Sequence, residues 1–312
     1  MHLRCALLTL TFLLASVLPA HSATSLMLDW YPNPNHATLN AAKTQGFFAD
    51  QGLEVDLQVP ADPNDPLKLV AAGKVDFAVS YQPTVLQARA EGLPVVAVGA
   101  LVQHPLSCVL YRKDQGITSP ADFKGKRIGY SVEPLYRVLF ETVAGHAGLT
   151  PEDYETVRVG FNLTQPLLSG KIAGSAGAFR NYEAVQAELE GFDVGVFAFE
   201  EYGVPDFYEL VLIANAKTVS EAPEKVAGLI NALKQGTEWT LEHPKRSREA
   251  FFASYPDSAN ELNRRAFEAT MPFFKGSPAQ TRQRWEALET FMRDKGLLNN
   301  PVDLDTLVWQ PE

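Results

Sequence analysis

Short apolar runs alternate with helix-patterned stretches along this chain, and the alternation runs through twice before helices take over. In the first pass Ser25 to Asp29, the period-two stretch Leu53 to Val59, Asp76 to Ser80 and Val95 to Leu101 read as strands. Residues 35–51, 66–72 and 83–91 between them read as helices. The rhythm restarts at Cys108 to Arg112. Strands follow at about 127–131, 156–160, 175–179 and 194–199, with helices at about 134–147, 166–169 and 182–190. Strands alternating with helices build βαβ units around a mainly parallel sheet. The halves also share a phrase: Leu69-Val70-Ala71-Ala72-Gly73-Lys74-Val75 leads into one strand, and Leu167-Leu168-Ser169-Gly170-Lys171-Ile172 leads into another. The expected fold class is therefore α/β, in two lobes of like topology.

One more strand is predicted at Glu209 to Ala214, and the rest is helical at about 220–241, 247–254, 259–271 and 278–295. The strands near 108–112 and 209–214 are the expected crossings between lobes. They give a discontinuous first lobe, 23–108 and 213–312, and a continuous second lobe, 109–212, with two segments able to act as a hinge. Open α/β sheets bind ligands beyond the carboxyl ends of their strands. Two such lobes face to face enclose a cleft, so the residues just after each strand are where function is sought.

The first 22 residues follow another grammar. Arg4 supplies a positive charge, Ala6 to Leu18 is almost wholly apolar, and small residues follow at Ala20, Ser22 and Ala23. That is the pattern of a secretory signal, too short in its apolar part for a membrane span of about 20 residues. Cleavage is expected near Ser22 or Ala23 and export to the periplasm follows. Cys5 would leave with the signal, and Cys108, within a strand-like run, reads as a buried thiol. The formal charge of −10 and the lack of a basic cluster argue against nucleic acid. The densest basic run, Lys245 to Arg248, reads as a solvated helix face. The four histidines beyond the signal (His36, His104, His146 and His243) are dispersed, with no metal-ligand spacing. Neither a metal nor a cofactor is expected. Nucleotide loops and a nucleophile elbow are missing from the sequence.

After the first strand comes Asp29-Trp30-Tyr31-Pro32-Asn33-Pro34-Asn35-His36, a loop kept out of a helix by two prolines. Trp30 reads as a ligand-facing ring or as a core anchor, and Asn35 as a polar contact or as the cap of the next helix. After the third strand Tyr81 and Gln82 precede Pro83; Tyr81 reads as a site residue or as packing. The corresponding corner of the second lobe is Phe179-Arg180-Asn181-Tyr182-Glu183, where Glu183 is either a ligand acceptor or an ordinary acid in a helix's first turn. Aromatic faces, amides and one carboxylate suit a flat polar heterocycle with an amino group better than a sugar or a phosphate.

These corners carry a family resemblance. Leu28 to His36, Pro60-Ala61-Asp62-Pro63-Asn64-Asp65-Pro66, Asp76 to Pro83 and Ala178 to Glu183 resemble motifs of the thiamine-pyrimidine binding family, the NMT1/THI5-like domain. The resemblance spans essentially the whole chain beyond the signal. It implies a periplasmic-binding-protein fold of type II, a monomer serving an ABC importer, and a ligand of the formylaminopyrimidine or hydroxymethylpyrimidine type. It also implies roles: Trp30 and Tyr81 against the ring, Glu183 on the aminopyrimidine edge, and Asn35, His36, Gln82 and Asn181 as polar contacts. Asp62 is a further contact, or else shapes the rim. Eukaryotic relatives on this fold make the thiamine pyrimidine, but their cysteine-rich run has no counterpart here. Riboflavin and sulfonates are the competing ligands, since related folds bind both.

Overall fold

The computed structural model describes residues 23–275 and 277–310, so the expected export signal and Cys5 lie outside the described residues. Among the described residues ten strands run in chain order: β1 Thr24–Met27, β2 Val55–Gln58, β3 Phe77–Ser80, β4 Val95–Val102, β5 Ser107–Arg112, β6 Arg127–Tyr130, β7 Glu155–Arg158, β8 Gly174–Phe179, β9 Val194–Ala198 and β10 Leu210–Asn215. They form two five-stranded sheets, ordered β2-β1-β3-β10-β4 and β7-β6-β8-β5-β9. The orders match strand for strand. In each, three parallel strands are joined by an antiparallel one that the chain supplies as it arrives from the other lobe: β10 in the first sheet, β5 in the second.

Burial explains why these segments were legible as strands. All eight residues of β4 are buried, as are all four of β3, which is how strands covered on both faces read. The edge strand β2 alternates instead, with Val55 buried and Asp56 exposed. The outer edge of β4 is closed by the C-terminal tail. Val308 bridges to Ala97, and the Trp309 amide donates to the Ala97 carbonyl at 2.9 Å. Covering an edge removes a template for strand pairing between chains. Within β5 the pleat alternates, sending Val109 to the main apolar core and Cys108 and Leu110 to a smaller cluster with Leu167 and Ile172. The Cys108 thiol is fully buried and donates to the Ala178 carbonyl; burial pushes its pKa far up, which keeps it an inert thiol.

Three helical expectations need correction. The stretch 35–51 is broken at Gly46 (φ +84°), which turns the chain between helices Ala37–Thr44 and Phe47–Asp50. The stretch 220–241 is two helices, Ala216–Glu221 and Pro223–Glu242, because Pro223 cannot continue the first. Residues 278–281 are not helical: the Pro278 carbonyl accepts the Ala100 amide, and the helix starts at Arg282. The expected lobe boundaries also need adjusting, since 108/109 falls inside β5 and 212/213 inside β10. We propose a division by sheet membership, just before each of these strands.

A buried carboxylate clasps the two crossings together. Glu209, fully buried, stands one residue before β10. Its Oε2 accepts the backbone amides of Leu106 and Ser107 and the Ser107 hydroxyl, each at 2.7 Å, and its Oε1 accepts the Tyr136 hydroxyl at 3.2 Å. Burial raises the Glu209 pKa, while the Ser107 and Leu106 donors and the Tyr136 hydroxyl pull it back.

Candidate ligand-binding cleft

The strand ends of the two sheets converge on one cavity, with about 340 Å³ of atom-free space. Part of that space is open to solvent; the room for the centre of a water-sized sphere is about 20 Å³, enough for about one water molecule, so the walls must part to admit a ligand. The first lobe lines it with Asp29, Trp30, Asn33 and Asn35 from the loop after β1 and with Tyr81 after β3. The second contributes Ser131 after β6, Tyr136 as the second residue of the helix Leu135–His146, Leu163, and Gly177, Phe179, Tyr182 and Glu183 at the β8 corner.

Aromatic rings from both lobes meet around it. The Trp30 ring stands edge-on to Phe161 at 4.4 Å between centroids, Tyr31 lies 6.1 Å from Tyr182, and Tyr81 meets Tyr136 at 5.8 Å and 70°. Each pair joins a first-lobe ring to a second-lobe ring, so the aromatic wall is complete only when the lobes are together. The Tyr81 ring is fixed from behind. Its hydroxyl donates to Asp29 Oδ2 at 2.9 Å, and Asp29 Oδ1 lies 2.8 Å from His36 Nε2. The Asn33 amide donates to His36 Nδ1, so the imidazole proton belongs on Nε2, facing Asp29.

Glu183 opens the helix Glu183–Leu189 and is 5% exposed. Its Oε2 accepts the Phe179 amide hydrogen at 2.7 Å, which leaves Oε1 for an occupant of the cavity. Burial pushes its pKa up to about 7, against the lowering effect of the backbone amides of Phe179 and Glu183. A carboxyl poised near neutrality can offer either a proton or a lone pair to a ligand edge. The same carboxylate, after burial, raises the pKa of Tyr182 to about 12.

Four of the eight residues expected at the site line the cavity: Trp30, Asn35, Tyr81 and Glu183. The other four stand elsewhere. His36 is fully buried behind Asp29 and orients it. Gln82 is fully buried too, its Oε1 accepting the Tyr208 amide at 2.7 Å, so it braces the second crossing. Asp62 sits at the rim, where Arg158 of the other lobe holds both its oxygens at 2.7 and 2.8 Å. Asn181 makes an inter-lobe contact: its Nδ2 donates to Asn35 Oδ1 at 2.7 Å and to Thr270 Oγ1 at 2.6 Å. Asp29, Asn33, Ser131, Tyr136 and Tyr182 line the cavity without having been singled out. Asp29 had its signal in the sequence, as an acid ending an apolar strand.

Two predictions arise here. The Asp62–Arg158 pair is more than 40% exposed on both sides, and such pairs contribute about 0–1 kcal/mol. Asp62→Asn is therefore expected to change ligand affinity by less than about fivefold in a calorimetric titration; a larger loss would put Asp62 into direct contact. Gly177 is the extra residue of a bulge where β8 slips against β5, with φ +88°, and a Cβ there would lie 2.3 Å from the Tyr136 ring. Gly177→Ala is expected to displace that ring and destabilise the protein by about 1–3 kcal/mol in urea unfolding. A neutral result would mean the wall yields freely.

Two lobes of matching sheet order with a cleft between them define a protein of the periplasmic-binding-protein fold, type II. Solved structures agree on the fold: the alkanesulfonate-binding protein SsuA of Xanthomonas axonopodis pv. citri, bound to MOPS, superposes with a TM-score of 0.72 at 16% identity, over 93% of this chain and 98% of that one. Residues 33–247 match the family described as NMT1/THI5 like, and the chain belongs to that family. A putative thiamine biosynthesis protein of Haemophilus influenzae is 42% identical over 91% of each chain. A formylaminopyrimidine-binding protein of Halalkalibacterium halodurans is 33% identical over 91% of this chain and 88% of its own. A relative in Legionella pneumophila, 29% identical over 91% of this chain and 90% of its own, is named a 4-amino-5-hydroxymethyl-2-methylpyrimidine phosphate synthase.

Proposed function

We propose that this protein is the solute-binding component of an ABC importer and captures an aminopyrimidine precursor of thiamine by closure of its lobes, without covalent chemistry. The observation that carries the reading is Glu183, a buried carboxyl with a pKa near 7 on a small cavity walled by tyrosine and tryptophan. An aminopyrimidine presents an amino hydrogen and a ring nitrogen side by side, and a carboxyl group with a mobile proton matches both. Its flat ring suits a slot between aromatic faces. Trp30, Tyr81 and Asn35 are the other contacts proposed from the first lobe.

Closure follows from where the contacts originate. Ring pairs, the Asn35–Asn181 hydrogen bond and the Asp62–Arg158 pair all join one lobe to the other. A ligand touching both walls favours the closed state by its differential affinity. The closed monomer then offers both lobe surfaces to a permease from the periplasmic side, in keeping with the export pattern of the first 22 residues. The binding-protein relative at 33% identity supports this reading.

The names of the more distant relatives motivate a second reading, that of a pyrimidine-forming enzyme. A thermal-shift panel separates the two. At ligand about 100 times its dissociation constant, binding adds about 2.7 kcal/mol of stability. Aminopyrimidines are expected to stabilise the protein and to be recovered unchanged. A shift with riboflavin or taurine alone would sink the ligand assignment, and turnover of a panel compound would favour the enzyme.

A further inference from the structure

Ser131 directly follows β6 and is 1% exposed, yet its hydroxyl has no hydrogen-bond partner among the described residues. It lines the same cavity as Asp29 and Glu183. A buried hydroxyl without a partner is costly, so a ligand group that reaches it gains selectively over one that does not.

The surroundings define which group that is. The ionisable acids and bases on the wall, apart from tyrosines, are Asp29 and Glu183, and no Lys or Arg among the described residues lines it. Arg158 is held by Asp62, and Arg180 by Glu200 with the Leu106 carbonyl. Helix N-termini can hold an anion, and no side chain caps Gln82–Ala90 or Leu135–His146, so what disfavours an anion is the pair of acids, Asp29 and Glu183, on the same wall. The Asn33 side chain caps the turn that leads into helix Ala37–Thr44. Pro83 occupies the first turn of Gln82–Ala90, and Pro134 stands at the start of Leu135–His146. Glu183 takes the Phe179 amide with its own carboxylate.

We infer that Ser131 reads an uncharged polar arm of the ligand, a hydroxyl or an amide, and that a phosphate or sulfonate on that arm is refused. This rests on the aminopyrimidine reading and specifies what the ring carries. Ser131 is then a specificity-determining residue that touches the ligand.

The test is calorimetric titration of the wild type and Ser131→Ala with three 4-aminopyrimidines differing in one arm: methyl, hydroxymethyl and the phosphate ester of hydroxymethyl. The wild type is expected to prefer hydroxymethyl over methyl by about tenfold. Ser131→Ala should erase that preference while keeping affinity for the methyl compound within about threefold. The ester is expected to bind the wild type about 100-fold more weakly than its alcohol, or worse. A preference that survives in Ser131→Ala overturns the role of Ser131, because a merely structural effect would weaken both compounds alike. An ester that binds as well as its alcohol overturns the exclusion of anions. Binding of none of the three sinks the aminopyrimidine reading together with this inference, and differs visibly from a failure of Ser131 alone, in which the methyl compound still binds.

Discussion

Replacing Glu183 by Gln is expected to weaken aminopyrimidine binding by roughly 30- to 1,000-fold, about 2–4 kcal/mol, while the protein stays folded. The amide keeps the side chain's volume, and its oxygen can still accept the Phe179 amide hydrogen at the start of the helix. What disappears is the group that exchanges a proton with the ligand edge. Calorimetric titration reads the loss, and unchanged affinity would remove Glu183 from the site. The same substitution has a signature without ligand. Burial raises the carboxyl from 4.5 to about 7, so the folded protein keeps a proton there that the unfolded chain releases. The stability from this linkage is fully present below about pH 4.5 and is lost as pH rises through 7, about 3 kcal/mol in all. Glu209 is raised as well and adds a slope of the same sign, so the informative quantity is the difference between wild type and Glu183→Gln. That difference should fall across this window in urea unfolding. Parallel curves would mean that Glu183 titrates normally.

Replacing Glu209 by Ala should have the largest effect on stability, a loss on the order of 3–5 kcal/mol. Four donors converge on this one carboxylate, two of them backbone amides, and Ala leaves all of them buried without an acceptor. Because these donors belong to the first crossing and to Tyr136, the damage is expected to reach both the hinge and the cavity wall. Ligand affinity should drop with stability although Glu209 does not line the cavity. Glu209→Gln keeps an amide oxygen as acceptor and should cost less than half as much. Denaturant unfolding of the two variants decides it: a loss below about 1 kcal/mol in Glu209→Ala would show that the crossings hold together without the clasp.

The sequence made the strand ends legible, and with them Trp30, Tyr81 and Glu183, because continuous apolar runs bounded by Pro, Gly or Asn mark buried strands. It did not make side-chain direction legible. His36 and Gln82 occupy the right loops with the right chemistry, yet each turns inward to brace Asp29 or the Tyr208 amide. A loop bounded by prolines fixes which residues are near the mouth but not which way each one faces. Tyr136 and Ser131 escaped notice for a different reason: their place on the wall exists only once β6 lies beside β8 and the two lobes meet. Nor did any local pattern announce that Thr270, some 235 residues from Asn35, would share its hydrogen bonds. Such contacts arise from the return of the last helices onto the first lobe.

Electron density for the protein crystallised with the ligand it carries from its source would test the central claim most directly. The account predicts a planar ring beside Tyr81 and Tyr136, its amino edge within about 3.2 Å of the Glu183 carboxyl. An anion in the cavity, or a ring whose polar edge turns away from Glu183, would contradict it.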